Sequence, residues 1–253
     1  MNVRKYMQPL HEQGASIFLL LLFVGDLLFI GLHFANLKLP LFRSPFLDII
    51  LNLEEDRGYA EMFQYLKYCW VLILLLLMVW KKKVWQYSAW MPLFAYFLVD
   101  DFFQIHEWAG NLFATHFTFV PPFGLRLEDI GELTASVIAG GVLFIPLLFA
   151  YRSASSVCRK VFFDIALLVV LLIFFAVGVD MVHGAIDMGW KVSFILGVIE
   201  DGGELLSMSL IVWYVFLMTV RSDTDKGHLC DMLFAMVKKD AADRLSEPSN
   251  SAV

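Results

Sequence analysis

Long apolar runs separated by short polar connections dominate this chain. A helix needs about 20 apolar residues to cross the hydrocarbon core of a bilayer. Six segments meet that need: 15–37, 63–80, 85–107, 129–151, 161–183 and 197–220. Phe63, Tyr65, Leu66 and Tyr68 extend the second run. Arg4 and Lys5 precede Ile17–Val24 as in a signal peptide, but no small-residue cleavage site follows. The first run therefore reads as an uncleaved span. The expected fold is all-α: a polytopic membrane helix bundle of six transmembrane helices within residues 1–226. Three repeated αα-hairpins (15–80, 85–151 and 161–220) would build it, with a partly disordered cytoplasmic tail at 227–253.

Lys and Arg set the expected orientation. Arg4 and Lys5, Lys81 to Lys83, Arg152, Arg159 and Lys160, and Arg221 and Lys226 fall on one set of connections. The opposite set carries Lys38, Arg43, Arg57 and Lys67, then Arg126, then Lys191. Both termini are expected in the cytoplasm. The 59% hydrophobic content, with 17% charged residues, agrees with a membrane protein. The net charge of −6 suggests no nucleic-acid partner. Cys69, Cys158 and Cys230 are widely spaced and form no CxxC.

Against this apolar background four polar clusters stand out. Asp100-Asp101-Phe-Phe-Gln-Ile-His106-Glu107 ends the third run, and Glu128-Asp129-Ile-Gly-Glu132 opens the fourth. Asp180-Met-Val-His183, followed by Asp187, ends the fifth, and Glu200-Asp201-Gly-Gly-Glu204 opens the sixth. The topology puts all four in the extracytoplasmic leaflet, where ionisable groups cost several kcal/mol unless paired, hydrated or bound to metal. Asp129 with Glu132, and Asp201 with Glu204, have the spacing of capping boxes, so helix starts explain part of the signal. Capping does not explain acids at helix carboxyl ends, where the dipole disfavours them.

The hairpins of spans three to six resemble each other. Asp100 and Glu107 are seven apart, as are Asp180 and Asp187, and EDIGEL at Glu128 matches EDGGEL at Glu200. A fainter copy lies in the first hairpin, where Asp26 and His33 are also seven apart and Glu55-Asp56-Arg57-Gly58, with Glu61, precedes the second run; Asp26 and His33 either join the site or pair with each other. Two parallel repeats would then supply two similar half-sites.

Carboxylates with neutral imidazoles suit Zn, Fe or Mn; carboxylates alone suit Mg or Ca. The expected ligands of a divalent metal are His106, Glu107, Glu128, Glu132, Asp180, His183, Asp187, Glu200 and Glu204. Asp100, Asp101 and Glu107 are the candidates for catalytic acid–base work, the first two being ligands or partners of ligands. Gly131, Gly202 and Gly203 would let helices approach closely. Asp164 reads as a helix cap, His116 as a surface residue, and His11 and His228 as unrelated to the site. Phe113, Phe117, Phe119 and Phe123 make the connection after Trp108 interfacial or a lid, and Phe46–Leu51 suggests a short interfacial helix.

The Asp-Asp-x4-His-Glu ending of the third run resembles a pattern in uncharacterised bacterial multi-pass membrane proteins, several with a later segment like Glu200-Asp201-Gly202. That resemblance implies a bacterial inner membrane and no particular activity. HxxxH boxes of membrane desaturases and the Ser and His set of alkaline ceramidases are not found. The expected function is a metal-dependent hydrolase or oxidoreductase acting on a membrane lipid or membrane-soluble substrate. The alternatives are a cation transporter or channel, or a structural or sensory subunit; the sequence leaves oligomeric state open.

Overall fold

The computed structural model of the chain describes residues 3–38, 50–185, 189–221 and Leu229. Asp187, most of Phe46–Leu51, His228 and nearly all of the tail lie outside those residues. The described residues are helical, with turns and coil and no strand. The helices are α1 (Val3–Lys38), α2 (Tyr59–Lys82), α3 (Met91–Phe103), α4 (Ile105–His116), α5 (Leu127–Ser153), α6 (Ser156–Ile173), α7 (Asp180–Ala185) and α8 (Trp190–Val220). Five segments are long and apolar enough to cross a membrane: 13–36, 59–82, 127–153, 156–185 and 190–220.

The last helix is the centre of the bundle. Of its most apolar stretch 61% is buried, against 39% or less in the other four. It packs against α1, α2 and α6. Met208, Ile211, Val212 and Val215 recur at helical spacing and meet Val71, Leu75 and Met78 of α2, Phe94 of α3 and Ile165 of α6 in one core. The basic connections gather at one end of this bundle. Lys82 Nζ donates to the Arg221 carbonyl at 3.0 Å, and Arg159 to the Arg152 carbonyl at 3.1 Å.

Three helices differ from the sequence pattern. The run expected as one span over 85–107 is a 3₁₀ turn, Trp85–Trp90, then α3, then a break at Gln104 in the left-handed region (φ 53°). Asp100 causes the restart: its Oδ1 accepts from the His106 N–H at 3.0 Å and satisfies an orphan donor of α4. Asp100 and Glu107 therefore sit on two helices, where seven-residue spacing predicted one face. The sixth run starts at Trp190 and not near 197. The fifth is interrupted by a π-helical segment, Phe174–Val179, immediately before Asp180. Such bulges rotate the residues that follow and recur at functional sites.

The two copies of the repeated motif thus occupy different places. EDIGEL opens α5, whereas EDGGEL begins ten residues inside α8. Glu204 precedes Val220 by sixteen residues, about 24 Å of helix.

Candidate functional site

Close helix contacts bring the polar clusters together. Gly110 of α4 faces Gly131 of α5: a Cβ on Gly131 would lie 2.7 Å from Gly110 Cα and 2.6 Å from Phe113 Cβ. No side chain fits there, so α4 folds back tightly on α5 and carries Glu107 towards Glu128 and Glu132. Gly203 of α8 likewise leaves room for Phe175 of the π segment, which sets Asp180 beside the α8 acids. Gly202 faces the end of the flexible Ile30 side chain, a looser contact.

The result is a cavity of about 720 Å³ walled by α2 to α8 and the loop before α2. Its lining includes Asp100, Asp101, His106, Glu107, Glu128, Glu132, Asp180, Glu200, Asp201 and Glu204, members of all four clusters. Glu54, Glu55, Asp56 and Glu61, which the sequence reading did not assign to the site, line it as well. Against thirteen carboxylates the described lining offers two basic side chains, Arg126 and His106. Leu93, Phe97, Leu143 and Leu172 supply apolar wall.

The tightest grouping is at the α3–α4 break. One ligand atom each from Asp100, Asp101 and His106 lie within 4.8 Å of one another. His106 Nδ1 is 3.2 Å from Asp100 Oδ2, which leaves Nε2 as the ring's outward nitrogen. Glu132 and Asp101 are within electrostatic reach of His106, and Glu204 within reach of Asp101. Tyr68 and Tyr96 stand against the two aspartates.

Several expected roles change. His183 hydrogen-bonds Glu200 and Ser193. Its Nδ1 is 2.9 Å from Glu200 Oε2 and its Nε2 2.8 Å from Ser193 Oγ, so both nitrogens are engaged in holding α7 to α8. Asp129 is a helix cap, but its partner is Arg126 and not Glu132. Its carboxylate accepts from the Arg126 backbone N–H at 2.7 Å and from the guanidinium at 2.6 Å, which raises the arginine further. Asp201 and Glu204 cap nothing, because they lie mid-helix. The capping account of these acids therefore fails for α8.

Asp26 and His33 neither join the cavity nor pair with each other. Asp26 accepts from Lys67 Nζ at 2.5 Å and from Ser209 Oγ at 2.6 Å, with both members of the ion pair fully buried. Lys67, counted with an outer connection from the sequence, also donates to the Leu205 carbonyl at 2.8 Å and lies 4.5 Å over the Phe63 ring. Its place inside the second apolar run was the available signal. His33 Nδ1 accepts from the Leu53 N–H at 3.1 Å and its ring stacks on Phe194. Asp164 is no cap: Ser155 starts α6, and Asp164 accepts from Tyr214 Oη at 2.5 Å. Glu54 packs against Gly197; burial pushes its carboxyl up and nearby His183 pulls it down.

Comparison with known proteins gives a family without an activity. A family described as a domain of unknown function, DUF8692, matches residues 15–220. No curated protein and no solved structure matches.

Proposed function

We propose a function from the site alone for this chain, which belongs to the DUF8692 family: a membrane metalloprotein acting on a lipid or membrane-soluble substrate. The observation that carries the reading is the convergence of mid-helix and helix-end acids from all four clusters in one cavity around the Asp100–Asp101–His106 group. Thirteen carboxylates in one cavity repel each other unless cations or protons neutralise them. His106 through Nε2, with Asp101 and Glu132, would hold a divalent ion of the Zn, Fe or Mn class. Asp100 would fix the imidazole from behind, in the manner of a carboxylate orienting a metal-bound histidine. The ion would polarise a substrate or activate water, with Glu107 as the base. Glu128, Asp180 and Glu200 would complete the charge, Glu200 held by His183.

The third span would be α3 with its 3₁₀ entry, making six spans, with α4 returning along α5. The basic end would face the cytoplasm, as in the bacterial inner membrane, and the cavity the opposite side. Against a conduit for cations stands the floor. Gln64 and Leu205 line it, and the Lys67 ammonium, paired with Asp26, donates to the Leu205 carbonyl there. A cation moving inward would meet the Lys67 ammonium.

The test is elemental analysis of protein purified in detergent without chelator. Wild type should hold one Zn, Fe or Mn per chain, lost in Asp101→Asn and in His106→Ala. Metal-free wild-type protein that takes up none of the three ions on dialysis would refute the reading.

A further inference from the structure

Gln64 is out of place if the cavity holds a single ion. It is 5% exposed and sits in the cavity wall on α2. Its Nε2 donates to the Glu204 carbonyl at 3.5 Å, while its Oε1 has no hydrogen-bond partner among the described residues. A buried carbonyl oxygen left unpaired costs about 1–3 kcal/mol. Neighbouring acids cannot relieve it when ionised, because carboxylates only accept. A cation can.

The neighbours fit a cation of a particular kind. Glu204 is on the adjoining turn of α8, and Asp201 and Glu200 precede it by three and four residues on the same face. Glu204 is half-buried and lines the cavity. No imidazole or thiol is among these groups, and the nearest ammonium, that of Lys67, is already paired with Asp26 and donates to the Leu205 carbonyl. Oxygen-only sets of carboxylates and an amide carbonyl suit hard ions such as Mg, Ca or Mn. His106 gives the α3–α4 group its different, mixed character. Asp101 and Glu204 line the same cavity and are within electrostatic reach of each other.

We propose that the cavity has a second cation subsite on its floor, formed by Gln64 Oε1 with Glu204 and Asp201, which takes a hard divalent ion beside the histidine-bound one. This rests on the reading of the cavity as a divalent-cation site. Two adjacent ions would neutralise more of the carboxylate charge and clamp both sides of a phosphate or carboxylate ester group.

Zinc-loaded, dialysed protein titrated with Mn²⁺ and followed by electron paramagnetic resonance separates the two claims. Wild type should bind one Mn²⁺ without releasing zinc. Gln64→Leu should weaken Mn²⁺ by about tenfold or more, in the range lost with metal-site partners, and keep its zinc. Gln64→Glu, which restores the oxygen, should bind Mn²⁺ at least as well as wild type. Zinc retained with no Mn²⁺ uptake, or Mn²⁺ affinity unchanged in Gln64→Leu, overturns the subsite and leaves the first reading standing. So does a Gln64→Glu protein as weak as Gln64→Leu, since only packing would then explain Gln64. Failure of zinc, iron and manganese alike to bind overturns the first reading and the subsite with it.

Discussion

Removing the Asp26 carboxylate while keeping Lys67 should be among the most damaging single changes to this bundle. The two charges are 2.5 Å apart and fully buried. At an effective dielectric of about 20, their attraction is roughly 7 kcal/mol. Desolvation of both ions offsets much of that, so the pair's net value is far smaller than the attraction. Asp26→Ala removes the attraction but leaves the ammonium buried, with the Leu205 carbonyl and the Phe63 ring as its remaining company. Breaking a buried pair in this way costs about 3–5 kcal/mol. Ser209 loses its acceptor as well. The double variant Asp26→Leu/Lys67→Met removes both charges and should recover most of the loss, because apolar replacement of a buried pair is often neutral. Equilibrium unfolding in mixed micelles, with wild type, both single variants and the double variant, gives the coupling energy. A coupling below about 1 kcal/mol, the range of exposed pairs, would refute the reasoning.

Other outcomes follow from the same geometry. Gly131→Leu forces a side chain against Gly110 and Phe113; it should destabilise the α4–α5 hairpin by about 1–3 kcal/mol, read as earlier thermal unfolding and faster cleavage near residue 117. His183→Ala should keep the bound metal but weaken it by about tenfold, since His183 orients Glu200; full loss of metal would make His183 a ligand after all. Reporter fusions after Lys83 should read cytoplasmic, and fusions after Phe119 extracytoplasmic; the reverse pattern would invert the cavity's side.

The apolar periodicity located the membrane-capable helices because burial and lipid exposure both demand it. Convergence of the four clusters was legible for a related reason: each recurs at the same end of its run. What failed was local. Gln104 breaks the third run because Asp100 offers α4 a cap, and no hydrophobic pattern records a side-chain cap. The ten extra residues of α8 are apolar enough to read as loop or span alike, so EDGGEL passed for a helix start. Lys67 was assigned to a connection because a buried ammonium is costly, and its partner is forty-one residues away in sequence. Glu55, Asp56 and Glu61 were visible only as part of a faint first-hairpin copy of the motif, and Glu54 not at all, because no helical spacing ties them to the later clusters.

X-ray absorption at the zinc edge of loaded protein tests the central claim most directly. A first shell of nitrogen and oxygen at about 2.0–2.1 Å, with outer scattering from one imidazole, is predicted, and His106→Ala should abolish that imidazole signal. A shell containing sulfur, or an imidazole signal that survives in His106→Ala, would contradict it.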